Sequence, residues 1–140
     1  RAGGTTRAVF APFSDRMAEL ISAADLVVSR AGAGTLAELA RCETPAILVP
    51  YPLAADNHQQ ANAEYFAQQG GGIVIAQPQI AQLYATAREL LDDSHRLQQL
   101  RASLPRLDHA NSVEVMLDDL ETIARRDRSH REPAVTVAAA

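Results

Sequence analysis

One stretch of the chain, Ser29-Arg30-Ala31-Gly32-Ala33-Gly34-Thr35-Leu36-Ala37-Glu38, limits the folds open to it. It follows an apolar run, Asp25-Leu26-Val27-Val28, that reads as a short buried strand. It passes into Leu36-Ala37-Glu38-Leu39-Ala40, which holds strong helix formers and no breaker. Beyond that helix, Pro45 opens a second apolar run, Ala46-Ile47-Leu48-Val49, closed by Pro50. A continuous apolar strand is one covered on both faces, and two such strands joined by a helix lie parallel through a right-handed crossover. The expected fold class is therefore α/β, a Rossmann-like parallel sheet flanked by helices. In open sheets of this kind ligands bind outside the carboxyl ends of the strands, where the loops after both runs lie.

The remaining segments extend this pattern. Arg1 to Thr6 is a polar, Gly-rich lead-in, and Arg7-Ala8-Val9-Phe10-Ala11 is expected to form a short strand stopped by Pro12. Ser14 and Asp15 suit the N-cap of a helix to Ala24, with Met17, Leu20, Ile21 and Ala24 recurring on one face. Asp56 is the expected N-cap of a helix running through Tyr65 and Phe66 to a stop at Gly70-Gly71-Gly72, and Ile73-Val74-Ile75-Ala76 is a fourth strand. The rest is helical: Ile80 to Leu91, Ser94 to about Ser103 and, after a break at Pro105, Ser112 to about Arg126. In the last of these Val113, Met116, Leu117, Leu120 and Ile123 share a face. Residues 127–140 carry no periodicity and read as a disordered tail, leaving one domain over residues 1–126.

Composition narrows the function by exclusion. The chain has 17 acidic and 13 basic residues, for a net charge of -4, and its basic residues are all Arg, so the footprint of a general nucleic-acid binder is missing. No apolar stretch approaches the roughly 20 residues of a membrane span, and no signal-peptide pattern opens the chain. Cys42 stands alone, which precludes an internal disulfide framework and suits a small buried residue. His95, His109 and His130 have no partners at metal-ligand spacing and read as surface residues; there is no G-x-S-x-G and no setting for a Cys nucleophile. No metal or cofactor is expected. The start, Arg1-Ala2-Gly3-Gly4, lacks an initiator Met, as in a piece of a longer protein or a processed chain.

Two polar constellations carry chemistry. In the first, Gly32 and Gly34 permit positive φ and let a ligand approach the backbone, and the helix beginning near Thr35 aims unpaired N–H groups at an anion. Thr35-Leu36-Ala37-Glu38 also matches a capping box, so Glu38 either closes its own helix or accepts hydrogen bonds from a vicinal diol. The loop has no Lys, so it is not a Walker A loop, and it does not match G-x-G-x-x-G. Arg30 beside it suits either a phosphate or a structural ion pair. In the second constellation, His58, Gln59 and Asn62 share one face at the start of a helix, where amides and an imidazole suit the hydroxyls of a sugar; a solvated first turn capped by Asp56 is the alternative. Both constellations follow neighbouring parallel strands and face one crevice.

Together these features resemble the carboxyl-terminal domain of the MurG-type family, the N-acetylglucosaminyltransferases that make the second lipid-linked precursor of peptidoglycan. The matching stretches are Phe13 to Met17, Ala24 to Ala33, Thr35 to Glu38, Pro45 to Pro50 and Asp56 to Ala63, so the resemblance spans roughly residues 10–126. It implies the carboxyl-terminal half of a GT-B fold that binds UDP-N-acetylglucosamine. By that resemblance the backbone around Phe13 and Ser14 reads the uracil with Met17 nearby, and Glu38 takes the ribose hydroxyls. Ala33, Gly34 and Thr35 contact diphosphate and sugar, while His58, Gln59, Gln60 and Asn62 lie against the N-acetylglucosamine, with Gln59 and Gln60 interchangeable. The implied reaction is inverting transfer to undecaprenyl-diphosphate-muramyl-pentapeptide without a bound metal. The implied location is the cytoplasmic face of the plasma membrane, in cell-wall synthesis.

The resemblance also marks what is missing. The family's carboxyl-terminal domain starts earlier, with a further strand and Gly-rich loop, and its amino-terminal domain supplies the acceptor site and general base. No catalytic residue is therefore expected in this chain, which on its own is expected to be inactive; its partners are the donor and the missing acceptor domain, on the same or a separate chain. Two alternatives keep the donor site: a non-catalytic donor-binding subunit of a split two-chain transferase, and a part of a UDP-sugar glycolipid synthase.

Overall fold

The structure, a computed structural model, describes residues 7–108 and 113–129. Three strands, β1 (Val27–Ser29), β2 (Ala46–Leu48) and β3 (Gly72–Val74), pair in parallel in the order β1-β2-β3. Val27 aligns with Ala46, and Ala46 with Gly72. Helix α1 (Met17–Ala23) precedes β1, α2 (Ala33–Arg41) joins β1 to β2, and α3 (His58–Gln68) joins β2 to β3. After β3 come a 3-10 turn (Gln77–Gln82), α4 (Leu83–Asp92), α5 (Ser94–Ser103) and a single turn, α6 (Pro105–Asp108).

The alternation of side chains along β2 divides the core into two layers. Ala46 and Leu48 pack with Ile21 of α1, Leu39 and Ala40 of α2, Ala63 and Phe66 of α3, and Leu104. Ile47 points the other way and meets Ile75 and Leu90 of α4, flanked by Leu97 and Leu100 of α5. The central strand is thus buried on both faces, as its unbroken apolar run predicts. Asp93 caps α5, its carboxylate accepting from the Arg96 N–H at 2.9 Å. Thr44, the buried polar residue beneath the sheet, donates to the Ile21 carbonyl at 2.9 Å and so ties α1 to the start of β2.

The glycine triplet after α3 does three separate jobs. Gly70 ends the helix at φ 83, a left-handed conformation that Gly adopts without steric cost. A Cβ on Gly71 would lie 2.6 Å from the Phe66 ring, and one on Gly72 would lie 2.1 Å from the Ala46 carbonyl oxygen. The second and third glycines therefore let β3 close against α3 and β2.

Several expectations need correction. Residues 7–11 form no strand: they join no ladder among the described strands, and Val9 and Phe10 lie 85% and 93% exposed. The apolar run there lacks a neighbouring strand to pair with, so three strands stand among the described residues where four are expected. Helix α1 starts at Met17 with Arg16 as N-cap and no side-chain cap; Ser14 Oγ instead accepts from the Arg16 N–H at 3.1 Å. Pro78 enters a 3-10 turn before α4, so that helix begins at Leu83 rather than Ile80.

The chain divides into two compact units, Arg1–Leu107 and Asp108–Ala140. The second holds α7 (Val113–Ser129), which runs beyond the expected end at Arg126. Its apolar stripe, Met116, Leu117, Leu120 and Ile123, is exposed. His109, Ser112, His130 and most of the expected tail lie outside the described residues. No helix among the described residues is long and apolar enough to cross a membrane.

Candidate nucleotide-sugar site

In a strand–helix–strand unit the helix runs antiparallel to its strands, so it begins where the preceding strand ends, at the carboxyl edge. The order of elements therefore puts the starts of α2 and α3 on the same edge of the sheet. The residues singled out after β1 and β2 fall there. Phe13, Ser14 and Met17 lead into α1; Arg30 follows β1; Ala33, Gly34, Thr35 and Glu38 fill the first turns of α2; His58, Gln59, Gln60 and Asn62 open α3.

Helix α2 starts two residues earlier than Thr35. Gly32 is the N-cap, with φ -70 and ψ 143, and no side chain caps the helix. The capping box is therefore absent: Thr35 is the third helical residue, and Glu38 stands exposed one turn further in. The first helical bond runs from the Leu36 N–H to the Gly32 carbonyl at 3.0 Å, which leaves the N–H groups of Ala33, Gly34 and Thr35 without intrahelical acceptors. Positive φ is not what these glycines supply, since among the described residues the only glycine with positive φ is Gly70. Gly34 sits in an ordinary helical turn with nothing within 4 Å of where a Cβ would be. Its missing side chain leaves that space open at the start of α2.

Asp56 is not the cap of α3. Asp56 and Asn57 both take left-handed backbone, φ 49 and 54, inside a 3-10 turn, and α3 begins at His58 without a side-chain cap. Asp and Asn are the residues besides Gly that visit this region most readily, yet two in succession store strain of about 1–3 kcal/mol each. The amides that follow divide their work. Asn62 Nδ2 donates to the Ala31 carbonyl at 3.2 Å, pinning α3 to the Gly loop, and Gln59 Oε1 accepts from the Tyr51 N–H at 3.0 Å, pinning the loop after β2. Gln60 turns to Glu64, at 2.7 Å, and His58 is exposed.

Arg30 forms no ion pair with any described carboxylate, contrary to the structural alternative read from sequence. Its Nη1 donates to the carbonyls of Val49 and Pro50, at 3.0 and 3.2 Å, and to Gln77 Oε1 at 2.6 Å. Its guanidinium lies 5.6 Å from the centre of the Tyr51 ring, within cation–π range. Tyr51 and Gln77 are thus members of this edge that motif reading missed. The available signal was positional, since each lies three residues past the end of a strand. Phe13 is 82% exposed and Met17 half-exposed, so both present apolar surface at the opening of α1. In the same turn Arg16 pairs with Glu19, which holds the Arg16 pKa above its ordinary value. Among the described residues no group of His, Cys, Asp and Glu could hold a metal ion.

Comparison with known proteins agrees with this fold. Residues 2–115 match the family model of the Glycosyltransferase family 28 C-terminal domain. A UDP-N-acetylglucosamine--N-acetylmuramyl-(pentapeptide) pyrophosphoryl-undecaprenol N-acetylglucosamine transferase of Opitutus terrae is 50% identical over 137 residues, 98% of this chain and 36% of the relative. The protein of the same name from Parasynechococcus marenigrum is 47% identical over 122 residues, 86% of this chain and 32% of its own length. The crystal structure of Acinetobacter baumannii MurG superimposes with a TM-score of 0.70 at 29% identity, over 80% of this chain and 34% of that one. The chain spans about a third of the length of these relatives. The three-stranded parallel sheet with its helices is the Rossmann-like carboxyl-terminal half of a GT-B fold, and the chain belongs to the glycosyltransferase family 28 C-terminal domain family.

Proposed function

We propose that this chain is the donor-binding part of an inverting N-acetylglucosaminyltransferase, and that UDP-N-acetylglucosamine binds at the carboxyl edge of its sheet. The observation that carries the reading is the paired arrangement at that edge. Three unpartnered N–H groups open α2, and the Asn62 bond to Ala31 holds the amide-bearing start of α3 beside them. The first suits a diphosphate and the second a sugar. The relatives' names, which give both this donor and a pyrophosphoryl-undecaprenol acceptor, support the choice.

In this reading the backbone at Phe13 and Ser14, with Met17, receives the uracil, and Glu38 accepts the two ribose hydroxyls. The N–H groups of Ala33, Gly34 and Thr35, together with Arg30, hold the diphosphate. His58, Gln60, Asn62 and the NH2 end of Gln59 meet the N-acetylglucosamine. The acceptor hydroxyl attacks the anomeric carbon, the bond from that carbon to the diphosphate oxygen breaks with inversion, and UDP departs. Charge gathers on the diphosphate in that step, and the start of α2 is aimed to stabilise it. The proton of the acceptor hydroxyl goes to a base on an amino-terminal acceptor domain, so residues 1–126 form a nucleotide-sugar domain of an enzyme that acts on a lipid-linked muramyl-pentapeptide. That acceptor sets the location at the cytoplasmic face of the membrane.

Titration calorimetry of the chain with UDP-N-acetylglucosamine, UDP-glucose and UDP tests the proposal. The expected order of affinity puts UDP-N-acetylglucosamine above UDP-glucose, with UDP retaining most of the binding. Failure of all three to bind refutes the site. The chain alone is expected to transfer no labelled N-acetylglucosamine to lipid acceptor, and turnover by it would refute the division of labour.

A further inference from the structure

One side chain spans all three strand exits. Arg30 leaves β1; Val49 and Pro50, whose carbonyls it reaches, follow β2; Gln77 lies three residues past β3. Two carbonyls alone would let the guanidinium swing about its bond to them. Gln77 Oε1, from the strand exit after β3, supplies a third acceptor at 2.6 Å, and the Tyr51 ring centre lies 5.6 Å from the guanidinium carbon. Gln77 is itself held, because the turn it opens is closed by the Gln79 N–H on the Ala76 carbonyl at 2.8 Å. All three bonds leave from Nη1, and Nη2 and Nε take part in none of them. The uncommitted edge of the fork is planar and carries two parallel donors, the geometry that matches two oxygens of one phosphate group.

We propose that Gln77 is a positioning residue for the diphosphate of the donor: it locks Arg30 across the strand exits so that the Nη2–Nε edge is presented to phosphate oxygens. This rests on the nucleotide-sugar reading above. Neither carbonyl can do this alone, and a mobile Arg would bind the same anion only after losing the rotamer freedom that Gln77 removes in advance. The role predicts a dependence on the phosphates of the ligand and not on its nucleoside.

The test is titration of the wild-type chain and Gln77→Leu with UDP and with uridine, by calorimetry and NMR, with thermal melts as a check on folding. Gln77→Leu is expected to weaken UDP about tenfold, the factor that corresponds to 1.4 kcal/mol, while uridine moves less than twofold. Equal losses for both ligands would make Gln77 a structural clasp only and overturn the proposal, as would an unchanged UDP affinity. If Gln77→Leu does not fold, Gln77→Asn, one methylene too short to reach Nη1, replaces it with the same expectations. A double-mutant cycle adds a second reading: in an Arg30→Lys background, which keeps the charge and removes the fork, Gln77→Leu should cost nothing further. A wild-type chain that binds uridine and UDP equally refutes the Gln77 role while leaving a nucleoside site. A wild-type chain that binds neither refutes the site itself.

Discussion

Glu38→Ala separates two readings that predict opposite outcomes. If Glu38 completed a capping box, its loss would cost about 1 kcal/mol of stability, the usual worth of a cap. In the structure Gly32 is the N-cap, no side chain caps α2, and Glu38 is exposed a turn further along. A surface replacement free of such features stays within about 0.5 kcal/mol, and Ala is the best helix former, so the melting temperature should hardly move. Nucleotide affinity is another matter. A carboxylate that accepts two ribose hydroxyls makes two hydrogen bonds to a charged group, each worth about 1.5 kcal/mol or more when sheltered from water. Exposure puts the pair nearer 2 kcal/mol together, about a thirtyfold loss in UDP affinity. Calorimetric titration beside urea unfolding of both proteins measures the two quantities on the same samples. Glu38→Gln keeps one good acceptor and should fall between wild type and Ala. Unchanged UDP affinity in Glu38→Ala refutes the ribose role, and a stability loss near 1 kcal/mol with unchanged affinity would restore the capping box.

Three further outcomes follow from the geometry. Gly34→Ala should raise stability by about 0.5–1 kcal/mol, since Gly34 is helical and has open space around its Cβ position; it should also weaken UDP, and a stabilised variant with unchanged affinity would mean the open space has no ligand to admit. Gly72→Ala drives a methyl to 2.1 Å from the Ala46 carbonyl oxygen in the middle of the sheet; chemical denaturation should show a loss of about 3 kcal/mol, the upper end of overpacking, or failure to fold. At Asn57, φ 54 makes Gly the easier residue and Val a costly one; melts should rank Gly at or above wild type and Val lower by about 1–2 kcal/mol.

What could be read from the residues depended on whether local chemistry or a long-range partner decided the outcome. The run Ala46 to Val49 announced a strand covered on both faces because every residue in it is apolar, and the two core layers meet on it. The starts of α2 and α3 were placed on one edge by the order of elements alone. Residues 7–11 have the same local character as β1 yet form no strand, because pairing belongs to neighbours and not to the segment. The caps failed for a related reason. Thr35 and Asp56 are good capping residues by type, but Gly32 and the left-handed pair Asp56-Asn57 turn the chain first, and the helices begin where the turns release them. Arg30 could be singled out by its place next to the Gly loop, whereas its partners could not, since Gln77 is 47 residues away in sequence.

The pins that shape this edge grip main chain. Asn62 holds the Ala31 carbonyl, Gln59 holds the Tyr51 N–H, and Arg30 holds the Val49 and Pro50 carbonyls. A carbonyl or an N–H is present whatever side chain a residue carries, so the Gln59 pin survives any replacement at position 51 except proline. The same is true of the Arg30 bond at position 50. Sequence drift or deliberate redesign can therefore alter the exposed side chains at positions 51–53 while these main-chain bonds stay in place, the ring beside Arg30 at position 51 being the one contact given up. The loop's exposed side chains and the backbone atoms that anchor it are separate, so one set can change while the other is kept.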